Sequence, residues 1–289
     1  MKLNGRRESS NVEDRRGKGG AVAGMGIGGI IIAAIIAFIS SGGDMGQVLS
    51  SVSEQVAQGG TQTEQVDYQP TPEEQKLEKF SRQILAGTED VWAQLFKEKG
   101  WQYAPPTLVF FTGAVQSACG NATSQVGPFY CSGDQKLYID LSFFEQMDKQ
   151  MKAGGDLAHA YVIAHEVGHH IEYSTGLLNK AHQQMRKVSE KESNQISVRI
   201  ELLADYYAGV WAHHDQKNYG SIDNQDILEA INCAQKIGDD YLQKQARGYA
   251  VPESFNHGTS EQRARWFKRG LERGTFDEAP TFDIPYEKL

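Results

Sequence analysis

The chain has 289 residues, 23% of them charged and 39% hydrophobic, which suits one large domain or two small ones with a buried core. A net charge of −8 at pH 7 argues against nonspecific nucleic-acid binding as the main activity, so no nucleic-acid partner is expected. Three cysteines are too few for a scaffold built on disulfides, though they leave room for one bridge.

Residues 1–20 are basic, with Lys2, Arg6, Arg7, Arg15, Arg16 and Lys18 set against Glu8, Glu13 and Asp14. No charged residue occurs from Gly19 through Gly43, and Ala21–Ile39 is built from Ala, Gly, Ile, Met, Val and Phe. At about 1.5 Å per residue this run spans roughly 28 Å, close to a bilayer's hydrocarbon core. It has no polar stripe, unlike a buried core helix. A cleaved signal peptide usually has a shorter apolar run, although Ser40-Ser41-Gly42 leaves cleavage open. Residues 21–40 are therefore expected to be a transmembrane helix in contact with the lipid bilayer. After it the next basic residue is Lys76, so the positive-inside rule predicts a cytoplasmic N-terminus and a C-terminal bulk across the membrane. Residues 41–71, rich in Gly, Ser and Gln, read as a flexible linker. One domain is expected over residues 72–289.

Within it, Thr71-Pro72-Glu73-Glu74 is a helix-start signal. Leu77, Phe80, Ile84, Val91, Leu95 and Phe96 continue at helical spacing to about Lys99, with a candidate break at Gly87. Thr107–Phe111 and Leu137–Leu141 predict strands, either of which could offer an edge to an extended peptide. Ser142 is a candidate N-cap for a helix over Phe143–Lys152, and helical patterning dominates thereafter. The fold class is α+β. Cys119 and Cys131 bracket a loop containing Gly, Asn and Pro. In an oxidising compartment they are expected to pair; in a reducing one all three cysteines would be buried thiols.

His165-Glu166-Val167-Gly168-His169 falls in a helix predicted over Tyr161–Tyr173. Spacing of i, i+4 puts both imidazoles on one face, where they can chelate one zinc ion, and Glu166 beside them can act as general base on a water. Between Ala158 and Ile171 the only acid, Lys or Arg is Glu166. Glu201 and Asp205 share a face of a second helix, predicted over Ser197–His213 and apolar nearly all round. Such a carboxylate pair is costly to bury without a cation. Glu201 is thus the candidate third ligand and Asp205 a partner for a ligand histidine's ring N–H.

The arrangement resembles the gluzincin metallopeptidases, and more narrowly the YpfJ-type neutral zinc metallopeptidases of bacteria. The resemblance covers nearly the whole chain. It rests on Cys119-Gly120, Gly127–Cys131, Tyr138–Leu141, Ala164–His170, Glu201–Asp205 with Ala208–Trp211, Ile237–Asp240 and His257–Arg263. It implies a zincin-like, mainly helical domain with a small sheet, carrying one zinc per chain on His165, His169 and Glu201, with Glu166 as catalytic base. It also implies a bacterial inner-membrane protein, its catalytic domain periplasmic or extracellular, acting on a peptide or membrane-proximal protein substrate. Tyr206 stands where that family is expected to have a cysteine, and the Phe276–Phe282 tail lacks a second, so one bridge would be lost as a unit.

His257 has two readings, a surface or capping histidine before the Ser260–Arg269 helix, or a group near the metal. The spacing to Arg263 is similar to that after the zinc motifs of HtpX-like and CAAX-processing peptidases. That likeness implies an oxyanion contact for His257, with Arg263 holding an active-site carboxylate or the loop. His170 points about 100° away from His169, and His159, His182, His213 and His214 read as surface residues. Asp239-Asp240 could cap a helix or bind a cation, capping being the favoured reading. The rival function is a catalytically silent zinc-containing scaffold or chaperone for envelope proteins, against which an intact Glu166 argues.

Overall fold

The structure, a computed structural model, describes residues 1–17 and 68–289. The expected transmembrane helix and most of the linker lie outside the described residues. Among the described residues no helix is long and apolar enough to cross a membrane. Helix α1 runs over Pro72–Glu98, and its start is the predicted one: Thr71 Oγ1 accepts the Glu74 N–H while the Glu74 carboxylate accepts the Thr71 N–H. The helix passes through Gly87 without a break. A Cβ at Gly87 would lie 2.8 Å from Arg6 Nη2 and 3.1 Å from Asp215 Oδ1, so the glycine serves a close approach instead.

Among the described residues there are six strands, in chain order β1 Val12–Asp14, β2 Thr107–Phe111, β3 Ala114–Ser117, β4 Gly120–Thr123, β5 Phe129–Cys131 and β6 Lys136–Asp140. Four form one sheet in the order β1-β2-β6-β5, parallel except for β5 against β6; β3 and β4 make a separate hairpin. Alternate side chains of β2 and β6 enter different layers, as a period of two requires. Leu108, Phe110, Leu137 and Ile139 join the main core, whereas Val109, Phe111 and Tyr138 join a small cluster with Val115, Ala122 and Cys131. Cys119 and Cys131 form the expected disulfide beside that cluster. Both predicted strands are interior, so neither offers the free edge the sequence suggested; the edges are β1 and β5.

Helices α2 Ser142–Gln146, α3 Asp156–Ser174, α4 Leu177–Met185, α5 Glu190–Tyr219, α6 Asn224–Lys236, α7 Asp239–Arg247 and α8 Ser260–Arg273 complete a mainly helical α+β fold. Ser142 is not the N-cap of a long helix. It lies inside α2, its N–H donates to Asp140, and the chain then passes into a π-helical turn over Met147–Met151. Helix α5 starts well before the predicted Ser197, at a Ser189–Glu192 capping box, and packs mainly on α8 and α3. The α5–α8 contact depends on Gly209 and Gly270, where a Cβ would run into the backbone of Phe267 and Tyr206.

The α3–α5 contact depends on Gly168, whose Cβ would lie 2.9 Å from both Cα and O of Ala204. Gly168→Ala should therefore push these helices apart and destabilise the fold by about 1–3 kcal/mol, the usual range for overpacking. Thermal unfolding and zinc titration of the variant would check this, since the same crossing sets the spacing of the site below.

The N-terminal segment departs from expectation, and the C-terminal tail makes contacts that the sequence does not specify. Residues 1–17 are not an extension apart from the domain: they supply β1, and Met1, Leu3 and Val12 pack on the main core. Near the other end, the resemblance suggested a lost bridge between position 206 and the tail. Tyr206 reaches that tail by hydrogen bonds, its hydroxyl lying 2.8 Å from Thr275 O and 2.9 Å from Asp277 Oδ2.

Candidate metal centre

Helix α3 presents His165 and His169 one turn apart, and α5 presents Glu201 opposite them. His165 Nε2 lies 3.3 Å from Glu201 Oε2, and His169 Nε2 lies 3.5 Å from Glu201 Oε1. All three donor atoms fall within 4.8 Å of one another. This is the set the sequence predicts. Two imidazole nitrogens and a carboxylate oxygen are the donor chemistry of a catalytic zinc site with one position left open.

Both imidazoles are oriented from behind. Nδ1 of His165 lies 2.8 Å from Asp205 Oδ1, and Nδ1 of His169 lies 2.9 Å from Glu172 Oε2. These contacts place the proton on Nδ1 and direct the Nε2 lone pair at the shared centre. Asp205 fills the role expected of it; Glu172 is a partner that the sequence reading does not include. Its signal is a third acid on α3, after Asp156 and Glu166, placed i, i+3 from His169. Asp205 is fully buried and also accepts from Arg263, through Nε at 2.9 Å and Nη2 at 3.0 Å, and from the Tyr161 hydroxyl. Of the two roles open to Arg263, the contacts fit the first: it pairs with Asp205, the carboxylate behind His165. Tyr161 is equally unanticipated, because nothing in its spacing distinguishes it from a core aromatic.

The local charges are arranged unevenly. Burial opposes ionisation of Glu201, but His169, His257 and His165 around it hold its carboxyl well below the ordinary range. Burial pushes Glu166 the other way, above the ordinary glutamate value, against the pull of His165 and His169. Burial likewise lowers His169, which favours the neutral form a ligand needs. A carboxylate whose pKa is moved toward neutrality beside this cluster fits a group that takes and returns a proton.

His257 is partly exposed, its side chain 25% accessible, and is held by a buried acid. Its Nδ1 lies 3.1 Å from Asp239 Oδ1, and Glu201 is among the charges it feels. Burial opposes a charge on His257, but Asp239 and Glu201 outweigh it and raise its pKa. Asp239 is itself fully buried, and its Oδ2 accepts the N–H groups of Asn256, His257 and Gly258 at 2.7–3.0 Å. The Asp239-Asp240 pair thus divides its work. Asp239 orients His257, while Asp240 accepts the Ser260 N–H at the start of α8, as capping predicts.

Three other histidines make their contacts elsewhere. His170 turns away as expected, to the Tyr130 hydroxyl at 3.0 Å and Ala104 O at 2.8 Å. His159 and His214 are not surface residues: both are buried, against Asp148 and Gly274 O respectively.

Comparison with known proteins agrees with this geometry. The chain is 42% identical to uncharacterized protein YpfJ of Escherichia coli (strain K12), over 98% of this chain and 99% of that protein. It is 38% identical to uncharacterized protein Rv2575 of Mycobacterium tuberculosis, over 62% of this chain and 63% of that one. No solved structure matches the chain. Residues 1–282 match the family described as "Putative neutral zinc metallopeptidase". The chain belongs to that zinc metallopeptidase family.

Proposed function

We propose that the protein is a zinc-dependent endopeptidase that hydrolyses peptide bonds with Glu166 as general base. The convergence of His165, His169 and Glu201, each imidazole backed by a carboxylate, carries this reading. These three residues would hold one zinc ion, which when bound supplies Lewis-acid polarisation of a carbonyl and acidifies a water. Glu166, electrostatically coupled to both histidines and Glu201, takes the proton of the attacking water and passes it to the leaving amine. His257, held by Asp239, donates a hydrogen bond to the oxygen that gains charge as the carbonyl becomes tetrahedral.

The site would act on peptide or protein substrates near a membrane to which residues 21–40 attach the chain. The Cys119–Cys131 bridge supports a domain working outside the reducing cytoplasm of a bacterium.

His257→Ala should lower kcat on the order of 10²-fold, the usual loss for one oxyanion donor, while zinc content stays at one per chain. Steady-state kinetics with metal analysis would show it; unchanged turnover, or lost zinc, would remove His257 from this role. The proposal as a whole is tested by incubating the zinc-loaded chain with a diverse peptide library and reading products by mass spectrometry. Cleavage absent from a Glu166→Gln control supports the peptidase. No cleavage by a zinc-loaded chain would favour the silent scaffold.

A further inference from the structure

The first seventeen residues are bound to the domain along their whole length. Strand β1 pairs in parallel with β2, Val12 opposite Leu108 and Asp14 opposite Phe110. The Leu108 N–H donates to Asn11 O at 2.9 Å and the Arg15 N–H to Phe110 O at 2.8 Å. Upstream, Lys2 N–H donates to Ser221 O, Ser9 N–H to Arg82 O, and Gln83 Nε2 to the carbonyls of Leu3 and Arg6. The Met1 amino group lies 2.9 Å from Asp156 and 2.8 Å from Asp226.

The four arginines that help make this segment look like a cytoplasmic tail are all paired within the chain, Arg15 with Glu13. Arg6 Nη2 lies 2.6 Å from Asp215 Oδ1, whose side chain is fully buried, and the guanidinium stacks 3.7 Å from the Tyr219 ring centroid. Gly87 in mid-α1 leaves the space that this ion pair fills. A mid-helix glycine costs about 1 kcal/mol against alanine, so it wants such a compensation. Arg7 pairs with Glu89 and Asp90, and the nearly buried Arg16 lies between Asp14 and Glu78 over the Phe110 ring. Glu89 also accepts from Asn11 and Ser9. Without the segment, Asp215 would lose its only ion-pair partner among the described residues and the β2 edge would stand open.

A single bilayer crossing between residues 17 and 68 would separate these partners by a hydrocarbon layer about 30 Å thick. The ion pairs at 2.6–2.9 Å and the β-ladder leave no room for that separation. We propose that residues 1–17 and the metallopeptidase domain occupy the same side of the membrane, with the segment docked as the edge strand of the domain's sheet. The apolar run Ala21–Ile39 then joins two parts of one folded unit. The single-pass topology with a cytoplasmic N-terminus, expected from charge alone, does not hold for the docked chain. The contacts of residues 1–17 carry this placement whether or not the zinc site is catalytic.

The test uses the full-length chain in cells, with one exposed cysteine introduced at a time, Glu8→Cys in the segment or Lys268→Cys on α8. Cys119 and Cys131 are bridged, and burial raises the Cys233 thiol to about 12, so the parent chain gives a low background. A membrane-impermeant maleimide is applied before and after permeabilisation, with labelling of the denatured chain as the reference. Equal labelled fractions at the two positions before permeabilisation, both high or both low, support one compartment. Labelling of Lys268→Cys with Glu8→Cys protected until permeabilisation overturns it. Native-state hydrogen exchange on the unmodified full chain adds a readout that needs no variant. The Arg15 amide should exchange on the order of 100-fold more slowly than in a free peptide. Exchange at the free rate would show the segment undocked and overturn the proposal.

Discussion

Replacing Glu166 with Gln should lower kcat/KM on the order of 10³-fold while leaving bound zinc at one per chain. The substitution keeps size and hydrogen-bonding capacity but removes the carboxylate that neighbours the metal-type donors in sequence without belonging to them. General base catalysis contributes about 10²–10⁴-fold, which sets the expected loss. His165, His169 and Glu201 with their supporting carboxylates are untouched, so metal analysis should match the parent and thermal unfolding should change little. A variant that loses its zinc would assign Glu166 to the ligand set instead. One that keeps full activity would end its role as base.

Arg263→Met should have the largest effect on stability. Asp205 is fully buried and depends on Arg263 for two hydrogen bonds and its full positive charge, with His165 and Tyr161 supplying the rest. Burial opposes the Asp205 charge, and Arg263 is the first group that offsets it, ahead of His165. Removing the guanidinium leaves that carboxylate uncompensated, at a cost of about 3–5 kcal/mol. For a domain of this size the melting temperature should fall by about 10 °C. Zinc affinity should weaken about 10–100-fold, because Asp205 also fixes His165. Adding Asp205→Asn should recover part of the stability by removing the stranded charge, but none of the zinc affinity. A single variant as stable as the parent would show that this ion pair is not what holds α3, α5 and α8 together.

The two predictions separate chemistry from scaffold within one site. In the proposed reaction Glu166 acts on the reacting groups, whereas Arg263 acts through Asp205, His165 and Tyr161 and lies 3.9 Å from Glu201. The measurements differ accordingly: turnover at constant zinc content for the first, unfolding and metal affinity for the second.

Much of the site is legible in the amino-acid sequence. The i, i+4 pairs His165/His169 and Glu201/Asp205 share helix faces because the α-helix has a fixed period, so local spacing alone places each pair correctly. An acid on an apolar helix face is costly unless it meets a cation, and that singles out Glu166 and Glu201. The Thr71–Glu74 cap, the β2 run and the Cys119–Cys131 pairing are readable for the same reason, since a short stretch of chain decides each of them. What these residues do together is not local. Glu172 and Asp239 look like ordinary helix acids until folding places one behind His169 and the other behind His257. Gly168 and Gly87 look like helix-weakening residues until a neighbouring backbone or an ion pair fills the space each leaves. The basic N-terminus shows the difference most clearly. Its charges determine, by themselves, only that the segment seeks anions or a negative surface. Tertiary contacts decide that the anions are Asp215, Glu89 and Glu78 of the same chain, because ion pairing at such distances depends on which residues the fold brings within reach.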